Sequence, residues 1–247
     1  MMHSSVSTIL ELSHVRSGYT EGVEILQGLN MVLRQGQLSV VIGPNGAGKS
    51  TSLKTIFGFL HPWSGEIRFD HQLINELDPY EVKQLGISYI PQAINIFPQL
   101  TVEENLRMGG WIFREDKARL QNQMERVYEM FPILKEFRRR QATALSGGQA
   151  KMLSIAKEVI SEPQLILVDE PTAALAPIIA EQTYDFLMAT KEALGATVLL
   201  VDHHMEKAVE LADYVYVLSL GVMVEEGPAD EFDGERLRAI IQKCLEG

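Results

Sequence analysis

The chain is 247 residues long and 46% hydrophobic, with a mean hydropathy near zero, enough to bury the core of one large domain or two close-packed lobes. Its formal net charge of −11 argues against a protein that coats nucleic acid or holds a membrane through a polybasic face, while leaving room for a compact anion site. Cys244 is the single cysteine, so there is no intramolecular disulfide and no Cys-based zinc cluster, which fits a reducing cytoplasm.

Residues 1–7 lack a basic stretch followed by an apolar block, so no secretory signal is expected there. Residues 9–14 and 25–33 read as short strands about a turn at Glu21-Gly22. Residues 38–42 form a continuous apolar run that ends in a glycine-rich loop. A helix is predicted over 49–60, with Leu53, Ile56, Phe57 and Leu60 on one face. From Thr101 the pattern changes. Thr101-Val-Glu-Glu is a capping box that opens a helix, and Leu120, Met124, Val127, Phe131 and Leu134 recur at helical spacing up to the basic cluster 138–140. Residues 101–144 therefore read as a helical insert. Beyond it come a helix after Ser146 and a strand over 165–168. A helix over 178–193 follows, then a strand over 197–202 and a hairpin of 214–220 with 222–225. Strands alternating with helices predict a largely parallel sheet covered on both faces. The longest apolar runs, 165–168 and 197–201, fall far short of the roughly 20 residues a membrane-spanning helix needs.

Gly43, Pro44, Asn45, Gly46, Ala47, Gly48, Lys49, Ser50 and Thr51 match the phosphate-binding pattern G-x-x-x-x-G-K-[ST] throughout. The glycines let successive amides turn toward phosphate oxygens, and the following helix adds its positive end. Lys49 is expected to reach the β- and γ-phosphates and the Ser50 hydroxyl to ligate Mg²⁺. A strand before the loop and a helix after it separate this reading from a chance glycine turn. The run Leu165-Ile-Leu-Val-Asp169-Glu170 is a buried strand ending in two carboxylates. At a phosphate loop the first orients the Mg²⁺ shell and the second polarises the attacking water, roles assigned to Asp169 and Glu170. The dipeptide alone could equally be a solvated strand end.

Leu145-Ser146-Gly147-Gly148-Gln149 stands between these two motifs. Its small residues open a helix whose free amides and dipole favour an anion. An ordinary serine N-cap accounts for Ser146 but not for the whole pentad. The three motifs, in this order and spacing, resemble the ATP-binding-cassette (ABC) ATPases, and the resemblance covers essentially the whole chain. It implies an α/β P-loop NTPase of ABC type. Such a fold has a RecA-like parallel-sheet core, an N-terminal antiparallel β region and an α-helical subdomain. The core lobe would comprise about 1–100 and 145–247, with about 101–144 as the helical subdomain. The resemblance further implies that Tyr19 stacks on adenine, that Gln92 touches Mg²⁺ and the lytic water, and that His203 contacts the γ-phosphate, with His204 peripheral. ATP and Mg²⁺ are the implied cofactors, and Ser146, Gly147, Gly148 and Gln149 would complete the nucleotide site of a second subunit. Two departures stand out. Ala150-Lys151-Met152 follows the pentad where many members are more basic, and Ala176 replaces the aspartate of the D-loop, which helps two sites communicate.

The runs 97–106 and 175–179 are similar to the LivF-type ATP-binding subunits of branched-chain amino acid and amide uptake systems, although many of these carry glutamate at the position of Gln92. That likeness implies a second ABC ATPase subunit, same or different, transmembrane permease subunits and, indirectly, a solute-binding receptor. It implies no nucleic acid, and a peripheral place on the cytoplasmic face of the inner membrane. Ile94, Ile96, Phe97 and Leu100 either line a groove for the permease or belong to the core of the helical lobe. Two rival readings remain: a stand-alone cytosolic ABC ATPase in assembly or repair, and, because of Ala176, a non-hydrolysing structural subunit.

Overall fold

A computed structural model describes residues 7–20, 22–173 and 175–246, with side chains through Cys244. Residues 1–6, Glu21 of the expected turn and Ala174 of the D-loop run lie outside the described residues. In chain order the elements are β1 (Thr8–Ser17), β2 (Leu26–Arg34), β3 (Leu38–Ile42), α1 (Lys49–Ile56), β4 (Ser64–Phe69), β5 (Gln72–Leu73), α2 (Pro79–Gln84) and β6 (Ile87–Ile90). There follow α3 (Val102–Gly109), α4 (Lys117–Met130), α5 (Pro132–Glu136), α6 (Gly147–Val159), β7 (Leu165–Asp169) and α7 (Pro177–Leu194). The last are β8 (Thr197–Val201), α8 (Met205–Leu211), β9 (Tyr214–Ser219), β10 (Val222–Pro228) and α9 (Gly234–Glu246). Two compact units result, one of Met1–Val82 with Thr197–Gly247 and one of Lys83–Ala196.

The first unit contains two sheets. One is antiparallel in the order β2-β1-β4-β5, with Leu10 opposite Leu33 and Leu12 opposite Met31. These four side chains are buried, each contributing about 1.5–3 kcal/mol by leaving water. The strands of the other sheet that lie in this unit run in the order β10-β9-β3-β8. Strand β3 lies between β8 and β9 and is parallel to both, while β10 returns antiparallel to β9. All five β3 residues are buried, which is why 38–42 reads as a continuous apolar run rather than an alternation. Helix α1 ends at Ile56, one turn earlier than the apolar spacing to Leu60 predicts. Gly58 adopts φ +80, and a Cβ there would lie 2.4 Å from the Leu77 carbonyl oxygen. The chain turns sharply at the only residue type that fits, and the helix stops.

In the second unit β6 and β7 pair in parallel, Ile87 with Leu165 through Ile90 with Val168, and every residue of both strands is buried. Helix α3 opens with the expected capping box: the Glu104 amide donates to Thr101 Oγ1 (3.2 Å), and the Thr101 amide donates to Glu104 Oε2 (2.7 Å). The Thr101 amide foremost, and then the Thr101 hydroxyl, which also donates to Glu104 Oε2 (2.7 Å), hold the Glu104 carboxyl below its ordinary pKa. The apolar period through 120–134 resolves into two helices, because Pro132 has no amide hydrogen to continue α4 and instead begins α5. Gly109 lets α3 lie against α6; a Cβ there would come within 2.0 Å of the Lys157 carbonyl oxygen. Among the described residues no helix is long and apolar enough to cross a membrane.

Candidate functional site

The glycine-rich loop joins β3 to α1 in the first unit. Gly43 takes φ +146, and a Cβ on it would sit 2.0 Å from the Leu218 carbonyl oxygen, so β9 presses directly on the loop's first residue. Gly48 is left-handed at φ +97 and caps α1 without any side-chain bond, leaving amides at the positive end of the helix dipole for an anion. Lys49 is buried, and its ammonium donates to the carbonyls of Gly43 (2.9 Å) and Pro44 (3.0 Å). A buried ammonium requires such partners, and these bonds bend the side chain back over the loop where a phosphate would lie. Asn45 and Gly46 at the tip are exposed, Ala47 and Thr51 are buried, and Ser50 is half-buried. The Ala47 carbonyl accepts from the Gly221 amide at 3.0 Å, which ties the loop to the β9–β10 turn.

Tyr19 and His203 belong to the same unit. Tyr19 is 57% exposed, and its hydroxyl accepts from Lys54 Nζ at 3.1 Å. The ring is thus largely exposed, with the Lys54 ammonium also 5.3 Å from its centre. His203 lies two residues beyond the end of β8 and is exposed. His204 is the N-cap residue of α8, and its amide donates to Asp202 Oδ1 at 3.0 Å.

The second unit holds Gln92, Ser146–Gln149, Asp169 and Glu170. Asp169 is the last residue of β7 and is buried; its Oδ2 accepts a 2.7 Å bond from the Tyr89 hydroxyl on β6. Glu170 is buried as well and has φ +44, in the left-handed region that non-glycine residues seldom occupy. That turn redirects the chain straight after the strand. Ser146 caps α6, and the cap is reciprocal: the Gln149 amide donates to Ser146 Oγ (3.3 Å) and the Ser146 amide donates to Gln149 Oε1 (2.9 Å). An N-cap thus explains two residues of the pentad, not one as the sequence reading has it. What it leaves unexplained are Leu145, Gly147 and Gly148. A Cβ on Gly147 would meet nothing within 4 Å, so that glycine is not required by packing within the unit.

Ala176 caps α7 with no side-chain hydrogen bond, so nothing at this position replaces an aspartate's oxygens. Ile94 and Phe97 are exposed at 40% and 44%, which removes them from the core that one sequence reading allowed. Tyr89 and Lys151 had no role assigned from sequence, yet one bonds Asp169 and the other the backbone at Gln92 (3.2 Å). Neither carries a local signal, since each partner lies 59 or more positions away.

The family model described as ABC transporter matches residues 26–173. A "Probable branched-chain amino acid transport ATP-binding protein LivF" of Archaeoglobus fulgidus is 35% identical over 90% of this chain and 93% of its own. The "High-affinity branched-chain amino acid transport ATP-binding protein BraG" of Pseudomonas aeruginosa is 39% identical over 86% and 91%. Among solved structures, the ADP conformation of an ATP-binding cassette of an ABC transporter superposes with a TM-score of 0.85 at 27% identity, covering 98% of this chain and 99% of that one. Relatives of this kind, named for transport and matched over almost their whole length, do not favour a stand-alone ATPase. The phosphate loop, the buried strand ending in Asp169-Glu170 and the capped pentad are thus the parts of a known engine, and the chain belongs to the ABC transporter family as an ATP-binding, ATP-hydrolysing cassette.

Proposed function

We propose that this cassette powers an importer for branched-chain amino acids or related amides. It would pair with a second ABC ATPase subunit beneath transmembrane permease subunits, on the cytoplasmic face of the inner membrane, with solute delivered by a separate receptor. The observation that carries the reading is near full-length similarity to two proteins named for branched-chain amino acid transport. Ala176 supports a partner of different sequence, because a cassette without the D-loop carboxylate makes two equivalent sites less natural. The exposed Ile94 and Phe97 support a docking place for the permease. Residues 101–144, whose regular elements are all helical, are assigned to a helical subdomain, with 1–100 and 145–247 as the nucleotide-binding lobe.

The residue roles follow from the chemistry of each position. Tyr19 stacks on adenine, and the amides of Gly43–Thr51 with the Lys49 ammonium hold the phosphates. Ser50 in the first unit and Gln92 and Asp169 in the second offer oxygen donors alone and a single carboxylate, which suits Mg²⁺, a hard cation usually held by one or two carboxylates beside substrate phosphates. When bound, the ion neutralises charge on the phosphate oxygens. Glu170 takes the proton of the attacking water, and His203 stabilises the transferring phosphoryl group. Ser146, Gly147, Gly148 and Gln149 present helix amides to the nucleotide of the neighbouring subunit.

Two experiments test this. Glu170→Gln should retain ATP binding, lose most turnover and accumulate a closed dimer; near-normal phosphate release would overturn the assignment of Glu170. Membranes solubilised with the tagged chain should yield a permease and a second cassette, and cells lacking the chain should lose uptake of labelled leucine or a small amide. Intact uptake of both classes would refute the substrate reading.

A further inference from the structure

Two cavities of the first unit meet at one ion pair between α8 and α9. The Arg238 guanidinium donates to Glu206 Oε1 at 3.1 Å, and both side chains are exposed. On one side of the pair lies a groove of about 320 Å³, lined by Met205, Glu206, Leu237, Arg238, Ile241 and Gln242. Leu237 and Ile241 stand four residues apart on α9 and so share a face. Leu237 is buried, and Met205 and Ile241 are half-buried, so the floor of the groove is aliphatic. On the other side lies a hollow of about 730 Å³, where Glu210, Asp230 and Asp233 join Glu206 and Arg238.

These surroundings select a ligand by charge and by size. The groove is at the small end of the range for small-molecule sites, about 300–1,000 Å³, so the apolar part of its occupant is short. A fatty acid would bring a lone negative charge to a rim with four carboxylates. An alkylamine would occupy Glu206 and leave Arg238 without its partner. A zwitterion meets both requirements, its ammonium replacing the guanidinium on Glu206 and its carboxylate replacing Glu206 on Arg238. The exposed pair that it divides contributes little by itself, so burial of an aliphatic tail on Leu237 and Ile241 supplies the driving force. The groove also has a functional neighbour. Its wall includes Met205, the first residue of α8, whose N-cap is His204 and which follows His203 by two positions.

We propose that the groove between α8 and α9 is a regulatory site for a free branched-chain aliphatic amino acid. Its side chain lies on Leu237 and Ile241, its carboxylate on Arg238 and its ammonium on Glu206. Occupancy fastens the first turn of α8 to α9 and restrains His203, which lowers turnover and leaves nucleotide binding unchanged. Solute that has accumulated inside the cell thus slows the engine that imports it. The inference rests on the branched-chain importer reading and on the role assigned above to His203, and adds a regulation to both.

Isothermal titration calorimetry of the purified chain with L-leucine tests the site. Saturable binding to one site is expected, weakened by about tenfold or more in Arg238→Gln and in Glu206→Gln. Both replaced side chains are exposed, and an unchanged melting temperature verifies that the variants fold. Isovalerate and isoamylamine, which each lack one of the two charges, should bind more weakly than leucine. Phosphate release by the transporter co-purified with the tagged chain should fall several-fold as L-leucine is added, while binding of a fluorescent ATP analogue keeps its midpoint. The same transporter with Arg238→Gln should hydrolyse ATP at the uninhibited rate in leucine. Absence of saturable binding up to the solubility limit of leucine, or equal affinity in both charge variants, overturns the site. Binding that leaves phosphate release unchanged overturns the regulation. The substrate reading beneath it fails separately: cells lacking the chain would keep their leucine uptake, whether or not the purified chain binds leucine at Arg238.

Discussion

Tyr89→Phe removes one oxygen atom and with it the bond to Asp169 Oδ2. Both residues are buried, and the 2.7 Å bond is of the kind, hydroxyl to carboxylate, whose loss costs about 1.5–3 kcal/mol. The ring itself is retained, so only the small space of the hydroxyl is vacated and a cavity adds little to that figure. For a chain of this size each kcal/mol moves the melting temperature by about 2–4 °C, which gives a fall of about 3–12 °C. The functional effect is separate. Asp169 is proposed to face Mg²⁺ with one carboxylate oxygen while Tyr89 holds the other, and losing such an outer partner typically weakens metal binding by about 10–100-fold. ATP hydrolysis titrated with Mg²⁺ at saturating ATP should show a higher midpoint of that order, with the maximal rate largely recovered at high Mg²⁺. A lowered melting temperature with an unchanged Mg²⁺ midpoint would refute the positioning argument and leave Tyr89 a packing residue.

Three further outcomes are expected. Ala176→Asp gives α7 the side-chain cap it lacks and should stabilise the chain by about 1 kcal/mol, measured by thermal melting; a loss of stability would mean that the carboxylate finds no amide. Tyr128 has a buried hydroxyl with no hydrogen-bond partner, and burial pushes its pKa up to about 12 from 10. The unfolded chain therefore releases this proton first, so stability falls as pH rises from about 10 to 12; Tyr128→Phe should flatten that limb and raise stability at neutral pH by about 1 kcal/mol, and an unchanged alkaline limb in urea titrations would contradict it. Gly109→Ala forces its new methyl against the Lys157 carbonyl 2.0 Å away and should destabilise by more than about 1 kcal/mol, with unaltered chemical denaturation as the contrary result.

Much of the region between 57 and 100 was not legible from sequence. β4 has a left-handed glycine at Gly65, and Asp70 and His71 turn at positive φ, a conformation these two residue types adopt more readily than most but which apolar spacing does not reveal. β6 is four residues long, too short for a period, and is a strand because Leu165–Val168 lies beside it. The 3.6-residue period through 120–134 marks helix, as found, but spacing alone passes over Pro132, where one helix becomes two. The C-terminal helix α9 was not predicted at all. Its apolar positions, Leu237 among them, sit among enough charges to resemble a solvated tail until the core that receives them is known.

The phosphate loop, the pentad and the strand ending in Asp169-Glu170 were determined by the sequence itself. Each is a local construction in which a few consecutive residues set the backbone that does the chemistry: glycines for positive φ, a serine for a cap, an apolar run for a buried strand. Local chemistry of that kind survives any uncertainty about the rest of the fold. The tertiary structure alone decided what holds these pieces in place. Tyr89 reaches Asp169 across 80 positions, and Lys151 reaches Gln92 across 59. A hydrogen bond between residues so far apart depends on the pairing of β6 with β7 and the lie of α6 against β6, and no window of sequence contains both partners.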